Sequence, residues 1–234
     1  MDHHEWIVAA LSGFVTEARR RRIEEALTWR TRYVAVLLED IYQSQNASAV
    51  LRTCECLGVQ DVHVVEHYNP YRINPMVVKG SDRWLSIRKY NRSEHPAREA
   101  VAYLKSEGYR IIVASPDETA TSLHAFDLKA GKCVVAFGNE HQGVSEDMLR
   151  EADERLNIPM CGFTQSLNVS VSAGIVLSQL LHRLRTSDAD WRLSDGEKQE
   201  LRAEWLKCSV KKPELILDRA TGKSARAAHD GAGN

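Results

Sequence analysis

The chain has 234 residues, a formal net charge of -1, and hydrophobic and charged fractions of 43% and 27%. These values are ordinary for a globular protein, and they exclude a wholly disordered chain and a polybasic nucleic-acid binder. The length allows one large domain or two small ones, with a sizeable core. The five cysteines include no CxxC pair, so neither a disulfide framework nor a zinc ribbon is predicted, and no metal site is expected.

The N-terminal part, residues 1–32, is charged and carries apolar residues at helical spacing, which predicts a helical extension. Its first residues lack the basic and apolar regions of a secretion signal. No apolar run is long enough to span a bilayer, so we expect a cytoplasmic protein that does not enter a membrane. A dense basic run follows, formed by Arg19, Arg20, Arg21 and Arg22. Charge alone fits an RNA-binding surface and a solvated helix face about equally well.

Short apolar runs alternate with helical patterns between residues 33 and 187. Continuous apolar runs of this length are typical of strands buried on both faces of a parallel sheet. The predicted strands are 33–38, 62–65, 111–114 and 133–137 with a weaker one at 156–160, and the predicted helices are 46–57, 96–107, 145–152 and 168–185. The alternation predicts an α/β fold with a mostly parallel, doubly wound sheet and flanking helices.

The C-terminal part begins at about residue 188 and is polar. It carries one amphipathic helical pattern, followed by basic residues that include Lys211 and Lys212. We predict a second helical extension over 188–218, whose basic residues are further candidates for RNA binding. From residue 219 to residue 234 the chain is rich in Ala, Gly and charge, which predicts a disordered tail.

Ligands of open α/β sheets bind at the carboxyl ends of the strands, and three polar segments follow predicted strands here. No GxGxxG or GxxxxGK[ST] motif occurs, which argues against a dinucleotide oxidoreductase and a P-loop NTPase. The three segments are NASAVLR at 46–52, FGNEHQGVS at 137–145 and IPMCGFTQSLNVSVSA at 158–173. Each alone also fits a structural role: a helix capped by Asn46, a glycine-containing turn, and a tightly packed helix.

Taken together, in this order and spacing, the three segments resemble the motifs of the SPOUT superfamily, and within it the TrmH family of ribose 2'-O-methylases. The resemblance extends to KGSDRWL at 79–85 and to the basic segments on both sides of the core, so it covers roughly residues 19–217. It implies a SPOUT-type α/β knot over residues 33–187, with a deep trefoil knot near the C-terminal part of this core. It further implies a homodimer whose active site needs both protomers, with S-adenosyl-L-methionine as cofactor.

The resemblance also implies roles for individual residues, carried over by motif. The methyl donor would contact Ser115, Gly138, Glu140, Ile158, Met160, Ser166 and Leu167. The catalytic residues would be Arg52, Asn46, Glu140, Ser166 and Asn168. A ribose hydroxyl must lose its proton as the methyl arrives, so positioning and a proton acceptor are the main demands. Because a guanidinium stays charged, we expect Arg52 to act beside the target phosphate rather than as a simple base.

Three functions remain open from the sequence. The favoured one is 2'-O-methylation of tRNA, with guanosine 18 of the D-loop as the expected target. The second is the same reaction on ribosomal RNA or at another tRNA position. Ribosomal members of the family often carry a separate N-terminal RNA-binding domain, and only about thirty residues precede the core here. The third is an RNA-binding protein without activity, against which the intact catalytic motif residues argue.

Overall fold

The computed structural model describes residues 2–221, so most of the predicted disordered tail lies outside the described residues. The chain forms two compact units. The larger unit is Thr31–Arg192, and the smaller one is built from the chain up to Arg30 and again from Leu193. No helix among residues 2–221 is long and apolar enough to cross a membrane.

The helices and strands follow one another in an α/β order. The α-helices are α1 (His3–Leu11), α2 (Glu17–Trp29), α3 (Ser44–Leu57), α4 (Pro75–Val78), α5 (Pro96–Ser106), α6 (Glu146–Glu151), α7 (Val169–Arg185), α8 (Asp195–Ser209) and α9 (Pro213–Ala220). The strands are β1 (Val34–Glu39), β2 (Asp61–Val65), β3 (Ser86–Tyr90), β4 (Arg110–Ala114), β5 (Thr121–Ser122), β6 (Cys133–Phe137) and β7 (Glu154–Asn157). Short 3-10 turns occupy Ser12–Phe14, Ser81–Trp84 and Leu128–Ala130.

The smaller unit consists of α1, α2, α8 and α9. Helix α8 begins with a capping box, in which Ser194 and Glu197 satisfy each other's backbone N–H groups. Arg202 on α8 forms a two-pronged ion pair with Glu24 on α2, at 2.6 and 2.7 Å. The inner faces of these two helices bury apolar side chains, which leaves the charged faces in solvent.

The larger unit contains one seven-stranded sheet of order β3-β2-β1-β6-β4-β7-β5. Every neighbouring pair is parallel, and Val36 at the centre is in register with Val62 on one side and Val135 on the other. Strands β1 and β6 are buried along their whole length, as their continuous apolar runs require. The prediction of an α/β fold with a parallel sheet and flanking helices is confirmed.

Two strands were missed by the sequence-based prediction. Strand β3 lies at one edge of the sheet, and Arg88 and Lys89 within it are exposed. An edge strand with charged residues lacks the continuous apolar run of a central strand. Strand β5, at the opposite edge, has two residues only.

The carboxyl ends of β1, β6, β4 and β7 lie side by side, because these four strands are consecutive in the sheet. The segment after β1 leads into α3, the segment after β6 into α6, and the segment after β7 into α7. All three polar segments of the sequence therefore meet at one edge of the sheet.

Candidate active site

A cavity of about 640 Å³ opens at this edge of the sheet. All seven residues expected to contact a methyl donor line it: Ser115, Gly138, Glu140, Ile158, Met160, Ser166 and Leu167. Asn46 and Asn168 line it as well. The fold thus brings residues from the four segments that follow β1, β4, β6 and β7 to one concave surface.

The 138–143 segment is a tight turn that only glycine permits at its first position. Asn139 and Gly143 exchange two backbone hydrogen bonds, of 2.8 and 2.9 Å. A Cβ atom on Gly138 would lie 2.1 Å from the carbonyl carbon of Gly143 and 2.3 Å from the amide nitrogen of Val144. Gly143 itself has a φ of 72°, a left-handed conformation that glycine adopts without strain.

A buried carboxylate holds the far end of this turn. Glu39, only 3% exposed at the end of β1, accepts hydrogen bonds from the backbone N–H and the hydroxyl of Ser145, at 2.9 and 2.7 Å. Burial raises the pKa of Glu39 above its ordinary value, and the hydrogen bonds from Ser145 partly oppose this rise. Ser145 in turn caps α6 through Met148 N–H.

Glu140 joins the turn to the segment after β1. Its carboxylate accepts hydrogen bonds from the backbone N–H groups of Tyr42 and Gln43, at 3.0 and 3.2 Å, and from Asn46 Nδ2 at 2.7 Å. Burial pushes the pKa of Glu140 upward, but these hydrogen bonds favour the charged form and hold the pKa below its ordinary value. Glu140 is therefore an anionic anchor of the β1–α3 loop.

Asn46 does not cap α3, so the structural alternative of a helix capped by Asn46 is wrong. The N-cap is Gln43, so Asn46 lies inside the first turn. Its amide is used for tertiary contacts instead: Nδ2 donates to Glu140, and Oδ1 accepts from Asn168 Nδ2 at 3.1 Å. Asn168 caps α7 by accepting from Ser170 N–H at 2.8 Å. A continuous hydrogen-bonded chain, Glu140–Asn46–Asn168, thus connects the three polar segments.

The chain is similar to known proteins in sequence and in fold. Residues 33–178 match the SpoU rRNA Methylase family. The chain belongs to this family. A tRNA (guanosine(18)-2'-O)-methyltransferase of Borreliella burgdorferi is 42% identical, over 89% of this chain and 94% of its own length. The enzyme of the same name from Thermus thermophilus is 38% identical, over 82% and 97%. The crystal structure of the A. aeolicus TrmH/SpoU tRNA modifying enzyme superposes with a TM-score of 0.73 at 29% identity, over 84% of this chain and 98% of that one.

Arg52 of this SpoU family protein lies apart from the other candidate catalytic residues. It follows Asn46 by six residues on α3, or about 9 Å along a helix axis. Its side chain is exposed and does not line the cavity. Ser166, in contrast, lines the cavity from the segment before α7.

Several anchoring residues were not singled out from the sequence. They are Glu39, Asp40 and Asn139, and Asn139 Nδ2 donates to the backbone carbonyl of Asp40 at 2.9 Å. The available signal was the acidic pair at positions 39 and 40, directly after a buried apolar run. Among residues 2–221, no group of three or more His, Cys, Asp or Glu side chains could hold a metal ion.

The candidate RNA-binding residues all lie in the smaller unit. Arg19, Arg20, Arg21 and Arg22 are exposed on α2, and Arg22 pairs with Glu25 at 2.8 Å. Lys211 and Lys212 are exposed between α8 and α9. Exposed cations on short connections and helix faces are accessible to a phosphate backbone.

Proposed function

We propose that this SpoU family protein transfers a methyl group from S-adenosyl-L-methionine to the 2'-hydroxyl of guanosine 18 in tRNA. The observation that carries this proposal is the Glu140–Asn46–Asn168 chain, which holds the three motif segments around one cavity. The two relatives named for guanosine(18) methylation match nearly their whole length, which supports tRNA over ribosomal RNA.

The cavity fits the proposed methyl donor. Its volume of about 640 Å³ lies within the range of small-molecule sites, which is about 300–1,000 Å³. Ile158, Met160 and Leu167 supply apolar surface for an adenine ring, and Ser115 and Ser166 supply polar groups. When bound, the donor supplies an electrophilic methyl group on a sulfonium. A trefoil knot over the segments that line the cavity belongs to the same proposal.

The remaining demand of the reaction is a correctly held ribose hydroxyl. Glu140 and Asn168 bind Asn46 on both sides, so these three residues act first by positioning the wall of the site. Arg52 carries a permanent charge that suits the target phosphate, where it would orient the hydroxyl and help its proton to leave. Its position outside its own cavity favours an active site completed by a second protomer.

The two helical extensions would extend the contact to RNA. We assign this role to residues 1–32 and 188–218, through Arg19–Arg22 and Lys211–Lys212. A site for a single nucleoside is small, so most of the affinity for tRNA must come from phosphate contacts outside it. A homodimer would supply these extensions twice. We also propose a cytoplasmic location, because the proposed substrate is tRNA.

The test is methyl transfer from labelled donor to separate tRNA and ribosomal RNA preparations, with mapping of the modified nucleotide. We expect label on the 2'-oxygen of tRNA guanosine 18. Arg52→Ala should abolish transfer and leave donor affinity, measured by calorimetry, unchanged. Arg92→Ala, which removes an exposed arginine after β3, is the matched control and should behave as the unmodified protein.

Three other results would contradict parts of the proposed function. Label on ribosomal RNA alone would replace the substrate assignment. Intact donor binding with no transfer to either RNA would favour a binding protein without activity. Loss of donor affinity in Arg52→Ala would move Arg52 into the donor site and overturn its assignment to the RNA.

A further inference from the structure

Asp40 ties a second loop to the rim of the cavity. It follows β1 in a left-handed conformation, with a φ of 50°. Its Oδ1 atom accepts hydrogen bonds from three consecutive backbone N–H groups, those of His67, Tyr68 and Asn69, at 2.7, 3.0 and 3.2 Å. Its carbonyl accepts from Asn69 Nδ2 and from Asn139 Nδ2. Because Asn139 lines the cavity, one residue fixes the loop after β2 beside the donor site.

This fixed loop presents a flat aromatic surface to solvent. The rings of His67 and Tyr68 stack, with centroids 4.1 Å apart and planes 10° from parallel. Tyr68 is nevertheless 78% exposed. With the imidazole against one face of the phenol ring, the opposite face is open. The backbone bonds to Asp40 hold this ring pair in place, so little conformational entropy would be lost on binding.

The segment after Asp40 presents a second exposed aromatic side chain, whose backbone is bonded to the cavity-lining Glu140. Tyr42, two residues after Asp40, is 64% exposed, and its backbone N–H is bound by Glu140. Its ring lies 6.3 Å from that of His141, which lines the cavity. Exposed aromatic rings on a rigid backbone next to a binding cavity indicate an interaction surface, rather than side chains that are exposed without a binding role.

We propose that the His67–Tyr68 pair is a stacking platform for an unpaired nucleobase that flanks the target nucleotide. This inference rests on the proposed RNA substrate. The target ribose must enter the cavity to bring its 2'-hydroxyl to the donor, so the neighbouring bases lose a stacking partner. An open ring face recovers this stacking, and it does so with any base, because every base has a π face. The platform therefore contributes to holding the loop, and sequence selection would lie elsewhere.

The test compares Tyr68→Ala, Tyr68→Phe and Tyr68→Leu in the transfer assay. Base–aromatic stacking is worth enough that its loss should raise KM for tRNA by about tenfold. Phe keeps the ring face and should keep the KM, whereas Leu keeps only apolar area and should resemble Ala. Donor affinity should stay unchanged in all three. Met76→Ala, which removes an 81% exposed apolar side chain without a ring from the same connection, is the local control.

A second experiment identifies the nucleobase that stacks on Tyr68. Each loop nucleotide of the tRNA is replaced in turn by an abasic one. At the platform nucleotide, base removal should raise KM for the unmodified protein and add nothing in Tyr68→Ala, as expected for two partners of one contact. Additive losses at every position would overturn the proposal.

Three further results separate the possibilities. Normal KM in Tyr68→Ala, with transfer intact, overturns the platform and leaves the proposed function standing. Absence of transfer by the unmodified protein overturns the proposed function first. A change in sedimentation of Tyr68→Ala without a change in KM would show a contact between two copies of the chain, and would also overturn the platform.

Discussion

The two sides of the cavity are built in opposite ways. Residues 138–145 are held by backbone pairing between Asn139 and Gly143, by Glu39 at one end, and by the bonds of Glu140 to the β1–α3 loop. Across the described residues, no hydrogen bond anchors residues 159–167 on the other side. Residues 161–167 are all exposed, and Phe163 is fully so.

This difference indicates a division of labour in ligand binding. A wall fixed by short hydrogen bonds is preorganised, and its shape does not depend on the ligand. A wall with few contacts has little free energy holding it in one conformation, so binding must order it, and the ordering reduces the affinity. The first wall would thus set the position of the donor, and the second would close on it.

The largest effect is expected for a glycine substitution in residues 138–145, the wall that hydrogen bonds hold in place. In Gly138→Ala the new Cβ would meet three backbone atoms of Gly143 and Val144 at 2.1 to 2.3 Å, so the turn must shift by more than 1 Å. A displacement of this size costs about a hundredfold in transfer rate, and overpacking lowers the free energy of unfolding by about 1–3 kcal/mol. Transfer kinetics and urea unfolding measure the two effects. Unaltered activity would show that this wall yields, and the contrast between the walls would disappear.

The sequence predicted the fold better than it predicted the hydrogen bonds that hold residues 138–145. Central strands such as β1 and β6 are continuous apolar runs, so their existence and direction follow from burial alone. Glu39 bonds to Ser145, which lies about a hundred residues further along the chain. Asp40 bonds to the backbone of His67, about thirty residues further along, and it needs a left-handed φ to do so. Local rules also allowed Asn46 to be a helix cap, which it is not, because a capping residue and a tertiary hydrogen-bonding residue have the same amide. The motif resemblance selected seven candidate donor-binding residues, and all seven line one cavity, which no local rule could predict.

Replacement of Glu140 by Gln tests the hydrogen-bonded anchor with a smaller expected effect. A Gln side chain has one acceptor oxygen and an NH₂ group that would face three donors. We expect the free energy of unfolding at neutral pH to fall by about 1–2 kcal/mol, because the site is partly exposed and one charged anchor is lost. Urea denaturation at a series of pH values provides the measurement.

The stability difference between the unmodified protein and Glu140→Gln should depend on pH. A carboxylate whose pKa is lowered by folding contributes stability above its ordinary pKa of 4.5, and this contribution is lost as the pH falls through the lowered folded-state pKa. The gap between the unmodified protein and Glu140→Gln should therefore narrow below pH 4.5. Glu94→Gln removes an exposed carboxylate outside the helices and is the charge-matched control, with an expected change within about 0.5 kcal/mol. A gap that stayed constant down to acid pH would mean that the ionised state of Glu140 has no part in the anchor.

The smallest effect is expected for residues 159–167, where a glycine-to-alanine substitution should increase the affinity for the donor. A Cβ on Gly162 would meet nothing within 4 Å, and its φ is not left-handed. Because alanine restricts the unbound segment without strain, Gly162→Ala should lower the ordering cost and tighten donor binding by about two- to fivefold. Calorimetry with the donor measures this change, and Gly13→Ala, equally unhindered in the smaller unit, should leave the affinity unaltered. If Gly162→Ala bound the donor no better than the unmodified protein, residues 159–167 would already be ordered before binding, and both walls would be preorganised.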